Sequence, residues 1–433
     1  MKLLFLAHRI PYPPNKGDKI RSYHELRALA QRGHEVHLIA FADDPRDLQY
    51  RVELARWCAS VRIFPLRKLA ATLRAGVMLF ISRPLSLGYF GSSKVRGQVR
   101  SALAEQNFDA IFVYSSAMAQ YVPEAWYSRT VVDLVDVDSE KWREYAERSS
   151  PPKSWIHRIE ARRLRKYEYG IVQRSANTVL TTSREAALLS ELDEFTCRAR
   201  LRVITNGVDS DYFYPDKSVP PAAASGRLGA GWFADTRGTD PSPRLVFVGA
   251  MDYYANAEAA CWFVAEVLPL IREQEPRAEF FIVGSNPTAA VKKLARQSGV
   301  TVTGFVEDVR PYLHSATVCV VPLRIARGVQ NKLLEAMACG KAVIATPAAA
   351  AGLRANNGED LLVANSPSEF AAAALQVIRN EALRESLGWH ARSFVETRHD
   401  WRPLLQTLVE LVESTAARKN ESETRKVRSI TRH

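Results

Sequence analysis

Short, nearly continuous apolar runs alternate with helix-period segments along this chain, and after one break the alternation starts again. Residues 3–7, 36–41, 61–64, 110–114, 131–135, 178–181 and 202–205 read as strands, and 21–31, with Leu26, Leu29 and Ala30 on one face, reads as a helix. Apolar runs of that length, separated by helical stretches, point to βαβ units and a parallel sheet. Residues 215–243 then lose all periodicity and are rich in Pro, Ala, Gly and Ser, as a loop or linker is. Beyond them strands recur at 245–248, 280–283, 300–303, 318–321 and 342–345, with helices at 255–267 and 289–297. The expected fold is α/β, with two Rossmann-like doubly wound domains at 1–209 and 244–397 joined by a linker at 210–243. Ligands of such sheets bind at strand C-terminal ends, so two facing domains would hold theirs in the cleft between them.

The C-terminal stretch carries its own pattern. Trp401, Leu404, Leu405, Leu408, Leu411 and Val412 form one helical apolar face, so a helix over 398–415 must pack on something. Residues 416–433 are polar and basic and are expected to be disordered.

Charge and cysteine content narrow the function classes. A chain of 433 residues with a net charge of +12 favours anionic partners: nucleotide diphosphates, an acidic membrane surface or a lipid-linked pyrophosphate. No nucleic-acid-binding module is recognisable, and nucleic acid is not an expected partner. Five cysteines, odd in number and without a C-x-x-C pair, read as reduced thiols, with Cys319 and Cys339 in a core. The apolar start, MKLLFLA, is too short for a signal peptide, and 75–81 is too short to cross a bilayer. The expected location is the cytoplasm, or the inner face of the cytoplasmic membrane.

The segment RIARGVQNKLLEAMACG at 324–340 carries the most chemistry. Gly328 opens a turn, and Val329, Leu333, Ala336 and Met337 recur at helical spacing as a buried stripe. A helix N-terminus presents unpaired N–H groups and partial positive charge, which suits a phosphate. Arg324, Arg327 and Lys332 add full charges, and Glu335 lies near enough to accept hydrogen bonds from sugar hydroxyls. The same residues would equally serve as an ordinary amphipathic helix with Lys332 and Glu335 as a surface i,i+3 pair.

Other constellations fall at strand ends. The loop HRIPYPPNKGDKIRS, with Gly17 and Arg21, follows the first strand and lacks the G-x-G-x-x-G of nicotinamide and flavin sites. In VVDLVDVDSEKW, Asp133, Asp136 and Asp138 close a strand, where carboxylates can align an acceptor hydroxyl or take its proton. Asp136-Val-Asp138 also spells a metal-binding D-x-D, a common tripeptide, while the cationic helix start can neutralise a diphosphate without metal. Gly249 and Gly284 end strands where backbone can approach a ligand. Two basic stretches, 66–89 and 153–174, can be solvated faces or can lie on an anionic membrane.

Several of these segments resemble one family. LLEAMACGKAVIAT resembles the signature helix and following strand of retaining GT-B glycosyltransferases of family 4, and Asn206-Gly-Val-Asp209 with Phe213 and Pro215 resembles the segment closing their first domain. The combination of HRIPYPPNKGDKIRSYHEL, DLVDVDSEKW and ARGVQNKLLEAMACGK is most similar to the subgroup found in PEP-CTERM/exosortase exopolysaccharide systems. The resemblance implies a GT-B fold and transfer of a sugar from a nucleotide-diphosphate sugar to a glycan or polyprenyl-linked acceptor, without cofactor or essential metal. It implies donor contacts from Gly17, Gly249, Gly304, Phe305, Val306, Arg324, Gly328, Asn331, Lys332 and Glu335, with Phe305 and its neighbours flanking the base and Glu335 holding the ribose. The catalytic set would be Asp136 and Lys332 with Arg327, which departs from the family but supplies positive charge to the leaving diphosphate; Arg21 and Asp138 would face the acceptor, and the final helix would cross back to the first domain.

Two departures stand out. The family's first Glu, eight positions before Glu335, is Arg327 here, and the usual Arg and Lys after the Gly249 strand are replaced by Ala250-Met-Asp-Tyr-Tyr-Ala-Asn256. These departures leave two rivals open: a GT-B-like nucleotide-sugar epimerase and a non-catalytic scaffold of polysaccharide assembly.

Overall fold

A computed structural model of the chain describes residues 1–14, 16–191, 198–215 and 242–430, with side chains to residue 417. Most of the linker expected at 210–243, and Cys197, lie outside the described residues. The chain divides into one unit of Met1–Thr205 with the stretch from Arg402, and a second of Asn206–Trp401.

The first unit is built on seven strands: β1 (Lys2–Ala7), β2 (Glu35–Ala42), β3 (Ser60–Pro65), β4 (Ala110–Tyr114), β5 (Thr130–Val135), β6 (Asn177–Leu180) and β7 (Leu201–Val203). Their order is β3-β2-β1-β4-β5-β6-β7, and every pairing is parallel. Leu3, Leu4, Phe5 and Leu6 are fully buried because helices cover both faces of β1, which is why this strand reads as a continuous apolar run. The order reverses between β1 and β4, the position where open sheets of this kind take ligands.

The second unit repeats the plan with β8 (Arg244–Val248), β9 (Glu279–Val283), β10 (Val300–Gly304), β11 (Val318–Val321), β12 (Val343–Ala345) and β13 (Leu362–Val363). Its order is β10-β9-β8-β11-β12-β13, again all parallel, with the reversal between β8 and β11. Both units are therefore Rossmann-like sheets, as the alternation predicts.

Three elements differ from the sequence reading. The first helix, Gly17–Gln31, begins four residues before the periodic segment, because Gly17, Asp18 and Lys19 form a turn that carries no apolar signal. The helix over 255–267 passes instead through a π-turn at Phe263–Val267 into Leu268–Gln274, where Pro269 has no N–H for the ordinary ladder. The final helix runs through Trp401–Ile430 and so includes most of the tail expected to be disordered; no Pro or Gly follows Pro403 to stop it. It is tied to the first unit by Asn177 Nδ2 donating to Thr415 Oγ1 at 3.0 Å and by Arg32 and His34 on Glu413 at 3.1 and 3.2 Å.

Candidate functional site

In the second unit the buried β11 leads into a turn that Gly328 makes with φ +60°, a conformation a side chain would strain. Gly352 packs against it so closely that a Cβ there would lie 2.0 Å from the Gly328 oxygen. Gln330 Nε2 donates to the Arg327 carbonyl at 2.6 Å and steadies the same turn, and the Asn331–Ala338 helix follows without a side-chain cap. Leu333, Leu334, Ala336 and Met337 are buried, and this stripe fixes the rotation of the helix. Asn331 stands at the helix start, its Oδ1 accepting from Asn206 Nδ2 at 3.4 Å.

Lys332 and Glu335 lie one turn apart on this helix, and both are half-buried. Among the described residues neither side chain makes a hydrogen bond or ion pair, although the Lys332 Nζ sits 6.0 Å from the Phe247 ring centre at the end of β8. Burial pushes the Lys332 ammonium down to about 8, with Glu335 only partly opposing it. Burial pushes the Glu335 carboxyl up to about 7, opposed in turn by Lys332. Two opposite charges held out of water but not closed on each other are costly in an empty site and useful in an occupied one.

The surrounding residues take distinct roles. Arg324 is held by Glu258, its Nε donating at 2.8 Å, and lies 5.5 Å from the Trp262 ring centre. Its charge is already engaged on its own domain, which argues against the donor contact expected of it. Arg327 is half-buried immediately before Gly328. Gly249 and Gly284 allow the ends of β8 and β9 to meet: a Cβ on Gly284 would lie 1.8 Å from the Gly249 oxygen. That close approach accounts for Gly284, and a Cβ on Gly249 would meet Asn256 Nδ2 at 2.7 Å, so neither glycine needs a ligand to explain it. Gly304, with φ +71° and open space about it, turns the chain so that Phe305 stands 69% exposed while Val306 packs on the core.

In the first unit, polar side chains gather at the C-terminal ends of β1, β4, β5 and β6. His8, directly after β1, stacks on Tyr114 of β4 with ring centres 5.7 Å apart, and its Nδ1 is buried without a partner. Its Nε2 lies 3.5 Å from Asp18. Burial alone would raise the Asp18 carboxyl, but His8 and Arg9 outweigh it and hold Asp18 well below the usual carboxylate range. Ser115 and Val135, at the ends of β4 and β5, have φ of +83° and +69°. Val135 is β-branched, so its left-handed backbone is strained, and strain of this kind persists where surrounding structure enforces it. Here Val135 N donates to Asp133 Oδ1 at 2.7 Å and Ser115 N to the Asp133 carbonyl at 2.8 Å.

The turn carries Asp136 to the strand end, where Thr181 Oγ1 donates to its Oδ1 at 2.7 Å. Burial raises the Asp136 carboxyl and nearby Asp138 adds to the rise, with Thr181 working against both. Asp138 is the first residue of the Asp138–Glu147 helix, a favourable place for a carboxylate whatever its other role. Gly17 is the exposed first residue of its helix. Arg21 is not a surface group facing an acceptor. It is 1% exposed, and it grips Asp133 at 2.7 Å, Glu25 at 3.0 Å and the Ile204 and Thr205 carbonyls at 3.0 and 3.2 Å. A guanidinium with five fixed donors is well suited to tie the helix to β5 in this way. The sequence reading did not single out His8, although its place directly after the first strand of a doubly wound sheet is where such sheets take ligands.

Residues 20–212 match the family model described as Glycosyltransferase Family 4, and residues 242–380 that described as Glycosyl transferases group 1. The two domains are glycosyltransferase domains of the GT-B fold. A sucrose-phosphate synthase from Thermosynechococcus elongatus superposes with a TM-score of 0.69 at 20% identity, covering 96% of this chain and 99% of that one. Anabaena HepE in complex with UDP-glucose gives 0.66 at 15% identity, covering 96% and 100%. Among curated proteins, an uncharacterised glycosyltransferase of Methanocaldococcus jannaschii is 26% identical over 167 residues, 37% of this chain and 42% of its own length. The chain spans less than half the length of this relative and of a Klebsiella pneumoniae protein from a cps region, of which it covers 44%. Among the described residues no helix is long and apolar enough to cross a membrane.

Proposed function

We propose that this protein is a retaining glycosyltransferase that moves a sugar from a nucleotide-diphosphate donor to a glycan acceptor carried on a lipid, in exopolysaccharide synthesis. The observation that carries the proposal is the unpartnered Lys332 and Glu335 pair at the head of the helix after β11, beside the reversal point of the second sheet. The UDP-glucose complex of a protein with the same fold supports a nucleotide sugar as donor. In this reading Glu335 accepts from the ribose hydroxyls, and Lys332, Arg327 and the helix N-terminus stabilise the departing diphosphate without a required metal. Phe305 flanks the base from its exposed turn. Asp136, whose carboxyl burial raises, serves the acceptor and the reacting sugar. Arg327 and Lys332 would supply the positive charge of the missing Arg and Lys, and the epimerase and scaffold readings gain no observation of their own.

Incubation with a panel of nucleotide sugars, with and without a membrane extract, tests the proposal. The expected result is release of nucleotide diphosphate and a product with the donor's anomeric configuration. Failure to bind any nucleotide sugar would overturn it.

A further inference from the structure

The first unit carries a surface that ordinary solvation does not explain. In the Lys68–Met78 helix the polarity is inverted: Ala71 is its buried side chain, while Leu69 is 86% exposed and Leu73 and Val77 are exposed with it. These three sit four residues apart and form one stripe. The following turn continues it with Phe80, 88% exposed, and Ile81. A second helix, Lys153–Arg174, adds exposed Trp155, Ile156 and Ile159 from its first turns. The two stretches are joined: Arg163 donates to the Met78, Leu79 and Arg83 carbonyls at 2.9, 3.1 and 3.2 Å, and Glu160 accepts from Ser86 N at 3.0 Å. Large exposed apolar side chains gathered in this way are a feature of interaction surfaces rather than of ordinary solvated ones.

The exposed charge carried by these two stretches is positive. Residues 66–89 contain no Asp or Glu, and the two acids of the second helix, Glu160 and Glu168, are fully buried. Arg67, Lys68 and Arg83 on one side and Arg158, Arg162 and Lys166 on the other are exposed and, among the described residues, make no ion pair. An apolar stripe with unpaired cations along both stretches matches the acyl boundary and head groups of an anionic bilayer. A tryptophan at its edge fits the interfacial zone.

We infer that the Lys68–Met78 helix, the turn after it and the start of the Lys153–Arg174 helix form a docking surface for an anionic lipid bilayer, lying on the membrane rather than crossing it. The surface belongs to the first unit alone and does not depend on the proposed transfer reaction. The test is co-sedimentation of the full chain with vesicles of phosphatidylcholine and phosphatidylglycerol, against phosphatidylcholine alone, at low and high salt. The protein should pellet with the anionic vesicles, weakly with the neutral ones, and less as salt rises. The double variant Leu69→Ser, Phe80→Ser should lower the partition by at least about tenfold. The triple variant Arg158→Gln, Arg162→Gln, Lys166→Gln should lower it by roughly fivefold per cation. All of these side chains are exposed, so thermal unfolding should match the parent. Absence of the protein from the anionic pellet at low salt would overturn the inference, as would equal binding to neutral vesicles. So would a concentration-dependent dimer lost in the Leu69, Phe80 variant, because a second copy would then be the natural cover.

Discussion

Glu335→Gln separates what this helix does for the fold from what it does for a ligand. Raising the Glu335 carboxyl from 4.5 to about 7 corresponds to roughly 3 kcal/mol against its ionised form. Between those values the folded state holds more protons than the unfolded state, so this residue's contribution to stability falls as pH rises from 4.5 to 7 and stays low above it. Glutamine carries no charge to desolvate, but it also gives up the attraction to Lys332. The variant should therefore be more stable than the parent at pH 8, by about 2 kcal/mol, and should lose that advantage by pH 5. Nucleotide affinity should move the other way. With Glu335 ionised above about 7 and Lys332 charged below about 8, the parent should bind UDP best between these values, weakening about tenfold per pH unit on the acid side. Glu335→Gln should bind more weakly at the optimum and lose the acid limb. Denaturant unfolding across pH and calorimetric titration with UDP read the two effects. A variant less stable than the parent at pH 8 with unchanged affinity would refute the reasoning.

Three further outcomes follow from the geometry. Arg21→Met should cost about 3–5 kcal/mol in denaturant unfolding, because Asp133 and Glu25 would be left buried without their cation; a loss below about 1 kcal/mol would return Arg21 to a surface role. Asp136→Asn should keep donor affinity within about twofold and lower turnover by about a hundredfold or more, as loss of a working acid or base does. Phe305→Ala should leave stability unchanged, since the ring is mostly exposed, and weaken UDP binding by about 1–3 kcal/mol if the ring stacks on the base.

The two-sheet plan was legible because strands buried on both faces of a parallel sheet need unbroken apolar runs, and runs such as LLFLA and VCVV have few other uses. β13 escaped notice because two residues carry no period. The final helix was cut short because its later residues have no apolar face, yet lysine, arginine and glutamate are good helix formers. At the site, Lys332 and Glu335 were legible because their helix is local and its apolar stripe sets their facing. The capture of Arg324 by Glu258, 66 residues away, was not. Neither was the burial of Arg21 on Asp133, 112 residues away, since a basic residue early in a helix reads alike whether its partner is a ligand or a distant carboxylate. The left-handed turn at Val135 was hidden for a related reason: its β-branched side chain reads as strand, while in the fold its N–H donates to Asp133 Oδ1 and holds the turn.

A crystal structure of the full chain with a bound nucleotide diphosphate tests the central claim most directly. The account predicts the ribose hydroxyls within hydrogen-bond distance of the Glu335 carboxylate, the diphosphate at the start of the Asn331–Ala338 helix with Lys332 beside it, and the base against Phe305. A nucleotide bound elsewhere, with Lys332 and Glu335 still unpartnered, would contradict it.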